Sequence, residues 1–464
     1  MIMRKKTLIA LALTMGLLAG CGNSNTNAAS AESSSSASAQ SASTIENTGV
    51  PGSSEAESDA ANNDVADDIE EAIDASDDND ASDNNGSSEN DESSDEQTKE
   101  TIEDSLNAAS LKDLYADNFM LGVGINGSTL ENQTLNLPEY MELSKKHFNS
   151  CTMTNLMKSG YILDQQGSIE SLKTGDGTPA LFFGSIDPTL EWCKENGMKM
   201  RGHTLVWHTQ TPGWFFREGY TDDGEYVDKD TMLMRMESYI KQLITHVQEE
   251  YPGVIYCWDV VNEAVEPDSY DPDSDFMCRT KCGEDPNPWY DTIGPDYVEA
   301  AFTYARKYAD SDVKLFYNDY NTYQPVKTNA IYTLCESLKE KGLIDGIGMQ
   351  GYWGIDYPSD QMIETAIRKF AELGLEIHIT ELSIGVDEET DEQFEKQGKR
   401  YGDVFSLLLS LDDENGGPAN ITSVTLFGLI DHYREGDTTN TRIFYSDYSP
   451  KPAFHKIEDL MKNN

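Results

Sequence analysis

From about residue 106 onward the chain alternates two kinds of apolar pattern: short, β-branched runs, and longer segments with apolar residues at i, i+3 and i+4. The first pattern marks strands buried on both faces, and the second marks amphipathic helices. Eight runs predict strands: Phe119–Asn126, Ser150–Lys158, Lys199–His208, Ile255–Ala264, Lys314–Asn321, Asp345–Trp353, Glu376–Gly385 and Ile421–Asp431. Helices are expected at Pro138–Phe148, Asp187–Asn196, Lys229–Glu250, Pro295–Ala309, Val326–Lys341, Ser359–Leu373, Glu392–Leu411 and Pro452–Lys462. Gly197, Gly253, Gly342 and Gly374 stand where helix C-terminal stops belong. Eight strand–helix units over about 360 residues, 105–464, predict a single α/β domain, a (β/α)8 TIM barrel with insertions. The competing architecture, an open doubly wound sheet, lacks its Gly-rich nucleotide loop after the first strand.

Charge changes the picture ahead of residue 105. The formal net charge is −49, from 83 acidic and 34 basic residues. Between Gly22 and Thr98 there is no Lys or Arg, and acidic residues stand among Ser, Ala and Asn. Such a composition buries too little apolar surface to offset its ordering entropy, so residues 21–104 are expected to form a disordered linker. The acidity also argues against nucleic acid as a partner, because phosphate recognition rests on Lys and Arg. Before the linker, Arg4-Lys5-Lys6 precede an apolar run from Thr7 to Gly20, too short to span a bilayer and suited to a secretory signal peptide, residues 1–20. Leu18-Ala19-Gly20-Cys21 resembles a bacterial lipoprotein box, which implies lipid attachment at Cys21 and a chain held at the outer membrane face through that lipid alone.

Cys151, Cys193, Cys257 and Cys335 lie in periodic segments and read as buried thiols. Cys278 and Cys282 lie in an irregular Asp/Pro/Gly-rich loop, where a local disulfide is plausible in an exported chain. Nothing in the sequence forms a convincing metal cluster, and the acidic run at Asp271–Asp275 reads as a solvated loop rather than a calcium site.

Two of the predicted strands end in a glutamate: Trp258-Asp-Val-Val-Asn-Glu263-Ala264 and Ile379-Thr-Glu381-Leu382. Taken singly, a strand-end Glu is more simply a salt-bridge partner. Two of them at the C-terminal mouth of one barrel suggest the carboxylate pair of glycoside hydrolysis. Around them the third strand offers His203, Trp207, His208 and Gln210, and the others Asn155, Lys158, Asn262, Asn318, Asp319 and Gln350. Aromatic faces flanked by hydrogen-bonding side chains suit a hydroxyl-rich ligand.

The folded part resembles family 10 glycoside hydrolases, the β-1,4-xylanase family, over essentially its whole length. The carriers are His147-Phe-Asn-Ser150, Arg201-Gly-His-Thr-Leu-Val-Trp-His208, Trp258 to Ala264, Tyr317-Asn-Asp-Tyr-Asn321, Ile344 to Gln350 and Ile379 to Leu382. The resemblance implies an endo-acting, retaining enzyme on a xylan-type polysaccharide, monomeric and without cofactor or metal. Glu263 matches the general acid/base and Glu381 the nucleophile, roughly 5–5.5 Å apart in a retaining enzyme. Asn262 matches the residue that bonds the sugar 2-hydroxyl. Asn155, Lys158, His203, Trp207 and Gln210 match sugar-binding positions on the non-reducing side. Tyr317, Gln350 and Tyr352 fall among the substrate-binding positions, with Gln350 placed near the nucleophile.

Five positions depart from the family pattern. Thr154 stands where Glu is usual, Tyr352 replaces His, Ser383 replaces Asp, and Phe427 and Glu435 each replace Trp. The lost His and Asp form one chain to the nucleophile in the family, so the Tyr352 hydroxyl is expected to take over the contact to Glu381. The altered positions also leave open a different or decorated β-glycan. A surface glycan-binding lipoprotein on an inactive barrel is the remaining alternative, disfavoured because binding alone needs neither glutamate.

Overall fold

The structure, a computed structural model, describes residues 100–462. The signal segment 1–20, Cys21 and nearly all of the 21–104 linker lie outside those residues. Eight parallel strands form the barrel: β1 (Met120–Ile125), β2 (Ser150–Met153), β3 (Lys199–Trp207), β4 (Ile255–Asn262), β5 (Lys314–Asp319), β6 (Gly346–Met349), β7 (Glu376–Ile384) and β8 (Ile421–Leu426). Each pairs with its sequence neighbours, β8 returns to β1 through Met120↔Ser423, and β6 pairs with β7 through Gly346↔Glu376, so the sheet closes and no edge remains. Eight helices follow the strands in turn: α1 (Pro138–His147), α2 (Asp187–Asn196), α3 (Lys229–Glu250), α4 (Tyr297–Tyr308), α5 (Pro325–Glu340), α6 (Asp360–Ala371), α7 (Asp391–Leu411) and α8 (Pro452–Lys462).

Local chemistry sets the helix ends. Asp228, Ser359 and Thr390 cap α3, α6 and α7 by accepting the Thr231, Met362 and Gln393 amides. Gly197 closes α2 at φ +65°, a conformation that a Cβ disfavours. Strand residues such as Val123, Ile347, Ile377, Ile379 and Val424 are fully buried. The expected (β/α)8 barrel is therefore the observed architecture.

Three details differ from the sequence expectation. The second, sixth and eighth strands end early, at Met153, Met349 and Leu426, and the chain then turns; Tyr352–Trp353 pairs separately with the end of β7. Those polar strand ends are loops that carry site residues. A helix at Gln165–Thr174, inserted between β2 and α2, has only Ser168 buried and so carries no apolar stripe to reveal it. Finally, all six described cysteines are thiols. Cys278 is fully buried, whereas Cys282 lies in the short Lys281–Cys282 strand of a two-stranded ribbon, and the local bridge that the sequence left open is not formed.

Candidate active site

The strand register slips where β3 and β4 pass His203 to Val206, where β4 and β5 pass Asp259 to Val261, and where β7 and β8 pass Ile379 to Leu382. An extra residue on one strand breaks the alternation of side chains and re-aims them. The consequence is visible at β7. Thr380 and Glu381, adjacent in sequence, both reach Asn318: Thr380 Oγ1 donates to its Oδ1 at 2.7 Å, and Asn318 Nδ2 donates to Glu381 Oε1 at 2.9 Å. Gly348 makes room for this junction, since a Cβ there would lie 2.3 Å from Asn318 Oδ1 and 2.9 Å from Thr380 Cγ2.

Glu263, at the end of β4, has φ +58°, an uncommon region for a long side chain and one that needs support. Support comes from both sides. Its amide donates to Asn318 O, and Arg279 Nε donates to its carbonyl, each at 2.9 Å. The carboxyl then accepts from Trp207 Nε1 at 2.8 Å on Oε2, and from Asn262 Nδ2 at 2.9 Å and Gln350 Nε2 at 2.8 Å on Oε1. Asn318 Nδ2 also donates to Asn262 Oδ1 at 2.8 Å. A continuous chain of amides thus joins the two glutamates: Glu381, Asn318, Asn262, Glu263.

Both carboxyls are buried, with Glu263 8 % and Glu381 5 % exposed. Burial pushes the Glu263 carboxyl above the ordinary glutamate range, and the nearby Asp319 charge adds to that; Gln350, Arg279 and Trp207 work against it. Burial raises Glu381 as well. There the opposing groups are His203, Tyr352 and Asn318, while the Glu263 charge adds to the rise.

The remaining candidates fall as follows. His203 Nδ1 bonds Asp259 Oδ2 at 3.0 Å, and Asp259 is held by buried Arg201, so the imidazole is fixed beside Glu381. Lys158 Nζ lies 4.6 Å from the Trp207 ring centroid and donates to Asn155 Oδ1 at 3.0 Å. Trp207 is steadied from behind by Trp289 Nε1 on its carbonyl at 2.9 Å. Gln210, half-buried at φ +48°, bonds through its carbonyl to Ser159 Oγ at 3.3 Å. The Tyr352 hydroxyl donates to Glu381 Oε2 at 2.6 Å, the contact expected of it.

Two placements correct the sequence reading. Gln350 donates to Glu263 and to Asn262, not to Glu381. Tyr317 is fully buried, and its hydroxyl is spent on Asp319 and on the Val265 amide at 3.0 Å. It braces the wall behind the site instead of facing a ligand.

Two contributors were missed in the site assignment. Asn318 stood in the polar belt without a role, and the i, i+2 alternation of β5 would have placed it opposite Tyr317 and Asp319. Arg279 lies in the irregular loop after β4, where no periodicity marks it; besides Glu263 it bonds Glu266 and the Tyr320 hydroxyl, each at 2.8 Å. Among the described residues no group of three or more His, Cys, Asp or Glu is arranged to hold a metal ion.

Residues 110–460 match the sequence profile of glycosyl hydrolase family 10. The chain belongs to that family. A putative endo-1,4-beta-xylanase of Caldicellulosiruptor saccharolyticus is 48% identical over 312 residues, covering 65% of this chain and 96% of the relative. Endo-1,4-beta-xylanase B of Butyrivibrio fibrisolvens is 39% identical over 355 residues, covering 75% of this chain but only 52% of its own length. Among solved structures, the N-terminal endo-1,4-beta-D-xylanase 10B of Clostridium thermocellum complexed with xylohexaose superposes with a TM-score of 0.68 at 33% identity, covering 76% of this chain and 67% of that one. The family 10 barrel therefore accounts for the described domain.

Proposed function

We propose that this family 10 chain is an endo-acting, retaining β-1,4-xylanase, with Glu263 as general acid/base and Glu381 as nucleophile. The observation that carries the assignment is the amide chain joining two buried glutamates whose surroundings differ. Glu263 stands beside the Asp319 charge, which favours the protonated form; Glu381 faces His203, Tyr352 and Asn318, which favour the ionised form. The relatives' names and the xylohexaose complex support xylan as the substrate.

In the first step Glu263 gives its proton to the glycosidic oxygen while a Glu381 oxygen bonds the anomeric carbon and the leaving chain departs. Forming that ester removes the Glu381 charge, and with it the repulsion between the two groups, so the Glu263 carboxylate is then suited to take a proton from water. Water attacks the anomeric carbon and Glu381 leaves. The pair of side-chain amides that joins the two carboxyls supports this reading, because it fixes their relative position for a double displacement. Asn262, whose Oδ1 accepts from Asn318 and Gln350, is assigned the contact to the sugar 2-hydroxyl.

The test is product stereochemistry with added azide. Glu263→Ala should give a glycosyl azide of retained configuration, and Glu381→Ala an inverted one. The reverse pattern, or undiminished turnover in either variant, would reject the roles.

We further propose export and lipid anchoring at Cys21, supported by the basic start, the apolar run Thr7–Gly20 and the Leu18–Cys21 box. Cys21→Ala should move xylanase activity from the membrane fraction to the soluble one.

A further inference from the structure

We propose that Arg442 seats the carboxylate of a uronic acid branch on the bound glycan, a reading that rests on the xylanase assignment above and narrows its substrate.

Arg442 follows β8, and its Nη1 donates to Ser383 Oγ at 2.9 Å. Ser383 lies two residues beyond Glu381 and pairs in register with Tyr352, so the guanidinium stands beside the reacting centre. It lies against Gly428, at the end of β8, where an added Cβ would meet Arg442 Nε at 2.5 Å and Asn126 Oδ1, at the end of β1, at 2.9 Å. The β7, β8 and β1 ends form the side of the cleft opposite the β4 loop that carries Arg279.

The charge on this arginine is unmatched. Its backbone amide bonds Asp431 Oδ1 at 2.8 Å, but the other Asp431 oxygen is taken by buried Lys451 at 2.6 Å. No carboxylate among the described residues forms an ion pair with the guanidinium, whose one protein hydrogen bond is to a neutral hydroxyl. The residue is half-buried, so water meets only part of its demand.

A planar guanidinium in a partly dry site matches a carboxylate by two parallel hydrogen bonds. A free uronate near Glu263 and Glu381 would otherwise be repelled, so a cation at this place is what an acidic branch requires. A neutral xylose chain has no use for it.

The experiment measures kcat/KM of the full chain and of Arg442→Met and Arg442→Lys on three oligosaccharides. These are linear xylohexaose, a xylo-oligosaccharide bearing one glucuronic acid branch, and the same compound with its carboxyl reduced to the alcohol. Arg442→Met should lose roughly ten- to hundredfold on the acidic compound, the worth of a charge-assisted hydrogen bond, while the two neutral compounds change less than about threefold. Arg442→Lys, which keeps the charge but not the fork, should fall between. The wild-type products should carry the branch on the fragment from the non-reducing side. An equal loss on all three compounds would show that Arg442 merely holds Ser383, and would overturn the proposal. Should the wild type cleave none of them, the xylanase reading falls instead. Titration of the acidic and the reduced compound into wild type and Arg442→Met then decides the seat alone, equal affinities rejecting it.

Discussion

The Tyr352 hydroxyl donates to Glu381 Oε2 at 2.6 Å, and the same residue faces Phe427 edge-on at 6.0 Å between ring centroids. The phenol therefore favours the ionised form of Glu381. Tyr352→Phe removes the donor and keeps the ring. A hydrogen bond to a charged group is worth about 1.5–3 kcal/mol, so kcat should fall roughly ten- to hundredfold. Because the lost bond favoured the carboxylate, the Glu381 pKa rises, and the acid limb of the pH–rate profile should move to higher pH.

Under the proposed roles the alkaline limb belongs to Glu263, which has to hold its proton for the first step. Trp207→Phe removes a donor that lowers the Glu263 pKa, so this limb should move to higher pH. Asp319→Asn removes a charge that raises it, and should move the limb down. That variant also strips the buried Lys327 of its partner at 2.8 Å, at a cost of about 3–5 kcal/mol in a melting experiment.

Glu381→Gln should be inactive yet more stable at neutral pH. The folded pKa of Glu381 is raised, so the folded state is favoured while the group is protonated and loses that advantage as pH rises through the folded pKa. Above it, the ionised group costs stability that glutamine does not. Glutamine can still accept from Asn318, and the Tyr352 hydroxyl can turn to accept from the new amide. Thermal unfolding should show a gain at pH 7 of about 1–2 °C per kcal/mol relieved, vanishing in acid.

Gly348→Ala places a methyl where Asn318 Oδ1 now lies. Overpacking of this kind costs about 1–3 kcal/mol, and the displaced Asn318 should lower kcat at least about tenfold. Unchanged kcat with lowered stability would show that Asn318 serves packing alone.

The barrel was legible because each strand buries both faces, which leaves continuous runs such as Met120 to Ile125 that no polar register interrupts. The strand ends were not. Residues 154–158 and 350–353 keep the strand composition, but they turn to bring Asn155, Lys158, Gln350 and Tyr352 to the cleft, and only tertiary contacts decide that. The two glutamates were legible from position, and Tyr352 from the paired loss of its usual counterparts. Tyr317 was misjudged because a motif neighbour was taken for a ligand contact, where the two-residue period turns it away from Asn318. Arg279 was hidden because an irregular loop has no period to betray which side chain folds inward.

Asn318 holds one glutamate through its side-chain amide and the other through its backbone carbonyl, and Thr380 on its oxygen fixes which way that amide faces. When Glu381 becomes an ester, its half of this grip slackens, since a neutral acceptor binds the amide less tightly than an anion. The change reaches Asn262 and Glu263 along shared hydrogen bonds rather than through a moving loop. A rigid barrel can in this way tell its second catalytic residue that the first has finished.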